Sequence, residues 1–443
     1  MRRRAFVAGL SLAGCADGWR RTPPDTTERP EAAGPAWMRQ QLPSGAVLLQ
    51  SGAAEGSTVH LGVSWLAVGE DPPEAPGLTA LGMAALVDRV LRDELVRVGA
   101  VPRVAWTGDG GALQVTVPRE SAEEVADLLA RRIRVPAVDE LGFTAAHGRA
   151  QAEAAIARAD PQRVAVRALD AAIFPAGHPY VHRGAATRAS LQAMTRAGVT
   201  AQMLRTLVPA RTMWLAIGDA SVGGAIARAW SGWSPETGAV PSVALPAAHR
   251  RGPIALVDRP GLDQAVIAIG RVGLAADDAD AVYAGRVMRI LRSAVHERLR
   301  GDRGLAYYTD GGHDEGRLGG RLRLLTQVDA GAAGEALKVM LWALGHVQEL
   351  AVAQRWVDEQ DTYDALEEVF RQASPGGRIS AMARRHQLGR PPIDRPPARR
   401  PVTKLAAVSD ALLLPGYWQI VCVGDRRRLQ AQLEKFGEVR ASG

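Results

Sequence analysis

The stretch RLRGDRGLAYYTDGGH, Arg298 to His313, gathers three arginines and two tyrosines around a glycine-broken turn. Guanidinium groups and phenols are hydrogen-bond donors, so the stretch could form half of an active site whose other half lies elsewhere. The same residues also suit a plain helix-to-strand connection, in which an arginine ends a helix and favours its dipole. The histidines offer less. His178 and His182 are four apart, but Pro179 interrupts any helix between them, so the spacing reads as a turn and not as a metal-binding face. His296-Glu297 and His313-Asp314-Glu315 are adjacent pairs, whose side chains diverge on a helix or a strand. Two cysteines, Cys15 and Cys422, exclude a disulfide framework and a cysteine-based metal site, and Cys422 within WQIVCVG reads as a small buried apolar residue.

The elements that must position such residues can be read from length and pattern. A chain of 443 residues exceeds one ordinary core, which predicts two domains. Hydrophobic residues at 47% and charged residues at 23% describe a globular protein. The body repeats itself: GAVLLQSG and VHLGVSWLAVG are echoed about 207 residues later by PIALVDRPG and AVIAIGRVG. MWLAIGDA is echoed by YWQIVCVGDR, with Asp219 and Asp425 separated by 206 (425 − 219). Two pairs at one offset argue for a duplicated domain. Domains are therefore expected over residues 37–230 and 253–436, joined by a Pro- and Gly-containing linker over 231–252. Helical spacing covers Thr79–Val98, Ser121–Arg132, Glu140–Ala159 and Arg163–Ile173, while Leu113, Val115 and Val117 alternate as one strand face. Strands followed by grouped helices predict an α+β fold of two homologous domains, each a largely antiparallel sheet with helices on one face.

The N-terminus carries a different message. MRRRAFVAGLSLAGC has a basic start and a ten-residue, largely apolar run, too short to span a bilayer, so residues 1–14 read as a signal peptide. Leu12-Ala13-Gly14-Cys15 resembles the bacterial lipobox, which makes Cys15 the lipidation site, and Arg3-Arg4 leaves the choice between general and twin-arginine export open. Residues 15–36, rich in Pro and charge, read as a flexible lipidated tether. These features predict a location in the bacterial envelope, on the outer membrane facing the periplasm. Removing three signal arginines takes the formal charge from +7 to +4. The remaining arginines are scattered among acids without interleaved aromatics, so no nucleic-acid partner is expected.

Five segments in order, LPSGAVLLQ, PGLTALGMAAL, FPAGHPYVHRG, VDRPGLDQAVIAIG and ERLRGDRGLAYY, resemble the pitrilysin/insulinase family of metallopeptidases over roughly residues 37–436. The likeness is greatest to the branch that contains mitochondrial processing peptidase, and it implies a processing-peptidase-like fold in both domains. Active members carry His-x-x-Glu-His on the helix that begins Gly-Leu, where two histidines hold zinc and the glutamate polarises water. The matching positions here are Ala80, Met83 and Ala84, which supply neither ligand nor base. Glu153 falls near the family's distal carboxylate ligand and is otherwise an ordinary solvated helix residue.

In active relatives an Arg and a Tyr seven positions later reach the zinc site, and Arg300 and Tyr307 match that spacing and context. The resemblance thus implies a chain inactive alone, with no cofactor of its own, that supplies substrate-binding and transition-state support to a zinc-motif-bearing homologous subunit in a heterodimer or larger complex. Zinc would sit in that partner, and the substrate would be a peptide or unfolded polypeptide. The competing expectation is a stand-alone peptide-binding or scaffold protein without a catalytic partner.

Overall fold

A computed structural model describes residues 36–52, 57–87, 89–218, 220–233, 243–306, 308–350, 354–391 and 402–442. The signal segment, Cys15 and most of the tether lie outside these residues.

The first lobe runs β1 (Trp37–Gln41), β2 (Val47–Ser51), β3 (Thr58–Leu66), α1 (Leu78–Leu86), α2 (Arg89–Arg97), β4 (Arg103–Thr107) and β5 (Gly110–Pro118). It continues with α3 (Ala122–Arg134), α4 (Glu140–Ala159), α5 (Pro161–Ile173), α6 (Arg188–Ala193), α7 (Arg196–Thr206), β6 (Thr212–Ile217) and α8 (Ala220–Trp230). The second lobe opens with β7 (Ile254–Asp258), β8 (Gln264–Val272), α9 (Ala281–His296), β9 (Thr309–Asp314) and β10 (Arg321–Asp329). Then come α10 (Ala333–Leu350), α11 (Gln354–Gln372), α12 (Pro375–Gln387), α13 (Val402–Leu412), β11 (Gln419–Gly424), α14 (Arg426–Leu433) and β12 (Val439–Ala441). The helix expected over Thr79–Val98 is two helices, because Val87 leaves helical geometry at φ −88°, ψ 56°.

The sheets have matching orders, β1-β2-β6-β3-β5-β4 and β12-β7-β11-β8-β10-β9. Both β7 and β11 begin 207 residues after their counterparts β2 and β6 (254 − 47 and 419 − 212), so the duplication read from the sequence is a duplication of sheets. Only the outer strand differs. β1 comes from the chain start and pairs antiparallel with β2, whereas β12 comes from the chain end, beyond residue 436, and pairs parallel with β7.

Helices cover one face of each sheet, as expected, and the other face is covered by a helix of the opposite lobe. On the first sheet, Ile379, Met382 and Ala383 of α12 pack with Leu49, Ala112, Met213, Leu215 and Ile217. On the second, Ala165, Leu169 and Ile173 of α5 pack with Val266, Ala268, Leu325, Val421 and Val423. This exchange explains why β6 and β11 are buried at every residue and read as continuous apolar runs instead of alternating ones. It also explains Gly62 on β3, where a Cβ would stand 2.7 Å from Ile379 Cγ2.

Buried charge crosses the same seam. Arg321 Nη1 of β10 donates to both carboxylate oxygens of Asp170 on α5, at 2.5 and 2.6 Å, and Arg321 Nη2 donates to Asp314 Oδ2 at 2.6 Å. Burial pushes the Asp170 carboxyl up, against the pull of Arg321 and Arg183. Burial pushes Asp314 up as well, but there Arg321 and Arg323 outweigh it and hold the group below the usual carboxylate range. Nearby, Asp109 accepts from the Tyr180 hydroxyl, from Arg317 N–H at 2.9 Å and from Arg384 Nη1 at 3.1 Å. Two exchanged helices and two buried polar knots make the lobes one body.

Candidate functional site

The α1 helix is held in place with care. It starts at Gly77, whose φ of 86° is left-handed, and a Cβ there would meet the Ala186 backbone at 2.5 Å. Asp71 Oδ2 accepts from Gly77 N–H at 2.7 Å, and its Oδ1 accepts from Thr79 N–H at 2.8 Å and from the Thr79 hydroxyl at 2.6 Å. Thr79 Oγ1 in turn accepts from Gln202 at 2.8 Å. What this helix presents is apolar. Met83 is buried in the first core with Met203, and Ala84 packs in a second cluster with Phe143 and Ala150 of α4. Ala80 is half-buried.

These residues do not fit zinc. Two methyl groups and a thioether offer no imidazole, no carboxylate and no base for water. Glu153 on α4 is turned to other use: its carboxylate pairs with Arg163 of α5, and its side chain is 63% exposed. Among the described residues, no three His, Cys, Asp or Glu side chains gather as a metal would require. His178 does not join a site either. Its Nδ1 accepts from Tyr180 N–H at 3.1 Å, and its ring stacks on Phe174 at 5.0 Å.

The second lobe places Arg300 on the last turn of a long helix. After α9 the chain widens into a π-helical turn over Glu297–Gly301, closed by Asp302 N–H donating to Glu297 C=O at 3.2 Å. Buried Leu299 anchors the turn, and Gly304 at φ 63° redirects the chain towards β9. Arg298 lies over the Trp342 ring at 5.0 Å and pairs with Asp302, and Arg303 pairs with Glu335. Both are therefore engaged along the helix surface. Arg300 is exposed on this turn. Tyr307 lies outside the described residues.

His296 and Glu297, adjacent in the chain, line one cleft with Arg292, Ser293 and Thr309, a grouping the sequence does not reveal. The signal was absent because Thr309 lies on β9, and its approach to α9 is a tertiary contact that local composition does not announce.

No family model matches the chain, and no curated protein does. Solved structures do match. A peptidase M16 inactive domain from Pseudomonas fluorescens superimposes with a TM-score of 0.79 at 18% identity, over 88% of this chain and 98% of that one. The fold is that of the M16 peptidases. A protease from Helicobacter pylori superimposes with a TM-score of 0.75 at 12% identity, covering 88% of this chain and 100% of its own. A chain of Complex III2 from Candida albicans, with Inz-5 bound, matches at 0.70 and 14% identity, over 90% and 99%. At such identities the likeness carries the fold, and the chemistry must come from the residues. In this fold α1 is fixed by Asp71, and residues 80, 83 and 84 on it carry no metal-ligating side chain.

Proposed function

We propose that this chain is the non-catalytic, substrate-binding subunit of a two-chain zinc peptidase that acts on peptides or unfolded polypeptides. The observation that carries the reading is an asymmetry: α1 is capped and oriented but chemically empty, while Arg300 stands exposed at a turn that follows a long, well-buried helix. The closed seam between lobes supports it further. A chamber for a polypeptide within this chain would require separating α5 and α12 from their sheets and breaking the Asp170–Arg321 pair, so the chamber is formed with a second chain. That second chain supplies zinc, and this one supplies Arg300 and Tyr307 as donors to the peptide carbonyl. The lipobox-like Leu12–Cys15 supports an assembly tethered to the envelope membrane and facing the periplasm.

The test is reconstitution. The purified full chain, mixed with a homologous His-x-x-Glu-His chain from the same source, cleaves fluorogenic peptides, and neither chain does so alone. Arg300→Ala with Tyr307→Phe lowers kcat of the mixture by about a hundredfold. Equal cleavage with the double variant would show that this pair plays no part. The likeness to a chain of Complex III2 favours a scaffold as the second reading. Affinity capture without any zinc-motif chain, alongside retained peptide binding, would decide for it.

A further inference from the structure

The cleft between α9 and β9 has a volume of about 420 Å³ and is lined by Arg292, Ser293, His296, Glu297 and Thr309. Its hydrogen-bonding capacity is unspent. Thr309 is only 8% exposed, and its Oγ1 is buried without a partner among the described residues. Arg292, Ser293 and His296 stand half-buried beside it, and their side chains make no hydrogen bond or ion pair with another described residue. A buried hydroxyl left unpaired costs free energy, so native sites keep one where water or a ligand completes it. The orphan sits with a guanidinium, a second hydroxyl and an imidazole, all able to donate.

We propose that this cleft holds a carboxylate of the bound polypeptide, with Arg292 as its charged anchor and the Thr309 and Ser293 hydroxyls as its neutral donors. The volume admits one side chain or a chain end and not a folded partner. Exposed Glu297 on the wall repels a doubly charged phosphate more than a singly charged carboxylate. Glu297 opens the π-turn that also carries Arg300, so an anchored carboxylate would fix the register of the chain beside that residue. The inference rests on the peptide-binding reading above and adds the class of residue recognised.

The carboxylate has two sources, an acidic side chain or a C-terminus, and fluorescence anisotropy on the full chain separates them. Four labelled decapeptides of otherwise equal sequence carry Glu or Gln at one central position and a free acid or an amide at the end. The expected result is that one carboxylate strengthens binding about tenfold, and that Arg292→Gln abolishes this preference while leaving the uncharged peptide unaffected. Thr309→Val, nearly isosteric, reduces the same preference several-fold, with thermal melting as the check that both variants fold. Binding without any carboxylate preference overturns this inference and leaves the peptide-binding reading intact. Binding of none of the four overturns both. Equal losses for charged and uncharged peptides in Arg292→Gln assign that residue a structural role and also overturn it.

Discussion

Replacing Asp170 with Ala perturbs the seam at its most buried charge. The Asp170 and Arg321 side chains are 6% and 8% exposed, with contacts of 2.5 and 2.6 Å. Removing one partner of such a pair strands the other, which typically costs about 3–5 kcal/mol. Arg321 keeps Asp314, itself 36% exposed, which places the expected loss near the lower end, about 3 kcal/mol. Arg183, whose Nε lies 4.0 Å from Asp170, loses a neighbouring carboxylate too. Urea unfolding measures the loss as a shift in midpoint at unchanged slope. Amide exchange locates it: strands β3 and β8 lose equal protection, because α5 and α12 tie each sheet to the other lobe. The double variant Asp170→Leu, Arg321→Met removes both charges and should recover more than half of the loss, since paired apolar groups tolerate burial better than one stranded ion. The reasoning is refuted if Asp170→Ala unfolds within about 0.5 kcal/mol of the wild type, or if exchange rises in one lobe only.

Two further outcomes follow from groups within the fold. His386 hydrogen-bonds Ser64 Oγ through Nδ1 at 3.1 Å, and burial, aided by Arg317, lowers its pKa to about 4. The unfolded imidazole keeps an ordinary value near 6.5, so between about 6.5 and 4 the unfolded chain binds a proton that the folded one refuses. Stability therefore falls with pH across that window, by on the order of 3 kcal/mol from this residue. His386→Gln flattens that part of the curve in urea titrations at stepped pH, and an unchanged slope would assign the acid sensitivity elsewhere. Grafting the motif back, as Ala80→His, Met83→Glu and Ala84→His, places a carboxylate where Met83 is 1% exposed. The expectation is a loss of about 3 kcal/mol or more and no stoichiometric zinc by elemental analysis, whereas a stable, zinc-loaded variant would show that α1 still offers a metal geometry.

Much of this molecule was legible in its residues. The 207-residue offset and the apolar runs WLAIG and WQIVCVG are one-dimensional facts with counterparts in the fold, and the residue types at 80, 83 and 84 are read directly from the chain. A strand's burial and a missing imidazole need no distant partner to be recognised. The sequence also located Arg300 at the end of its helix, because Gly301 and Gly304 mark the break locally. Other features depended on residues far apart in the chain. The cover of each sheet's second face by a helix of the other lobe, the pairing of Asp170 with Arg321 across 151 positions, and the gathering of Thr309 with Arg292 into one cleft are tertiary outcomes. Period and composition register what a residue prefers, burial or water, helix or strand. Which buried surface meets which, and which charge finds its counter-ion, is settled only when all the elements compete for the same space.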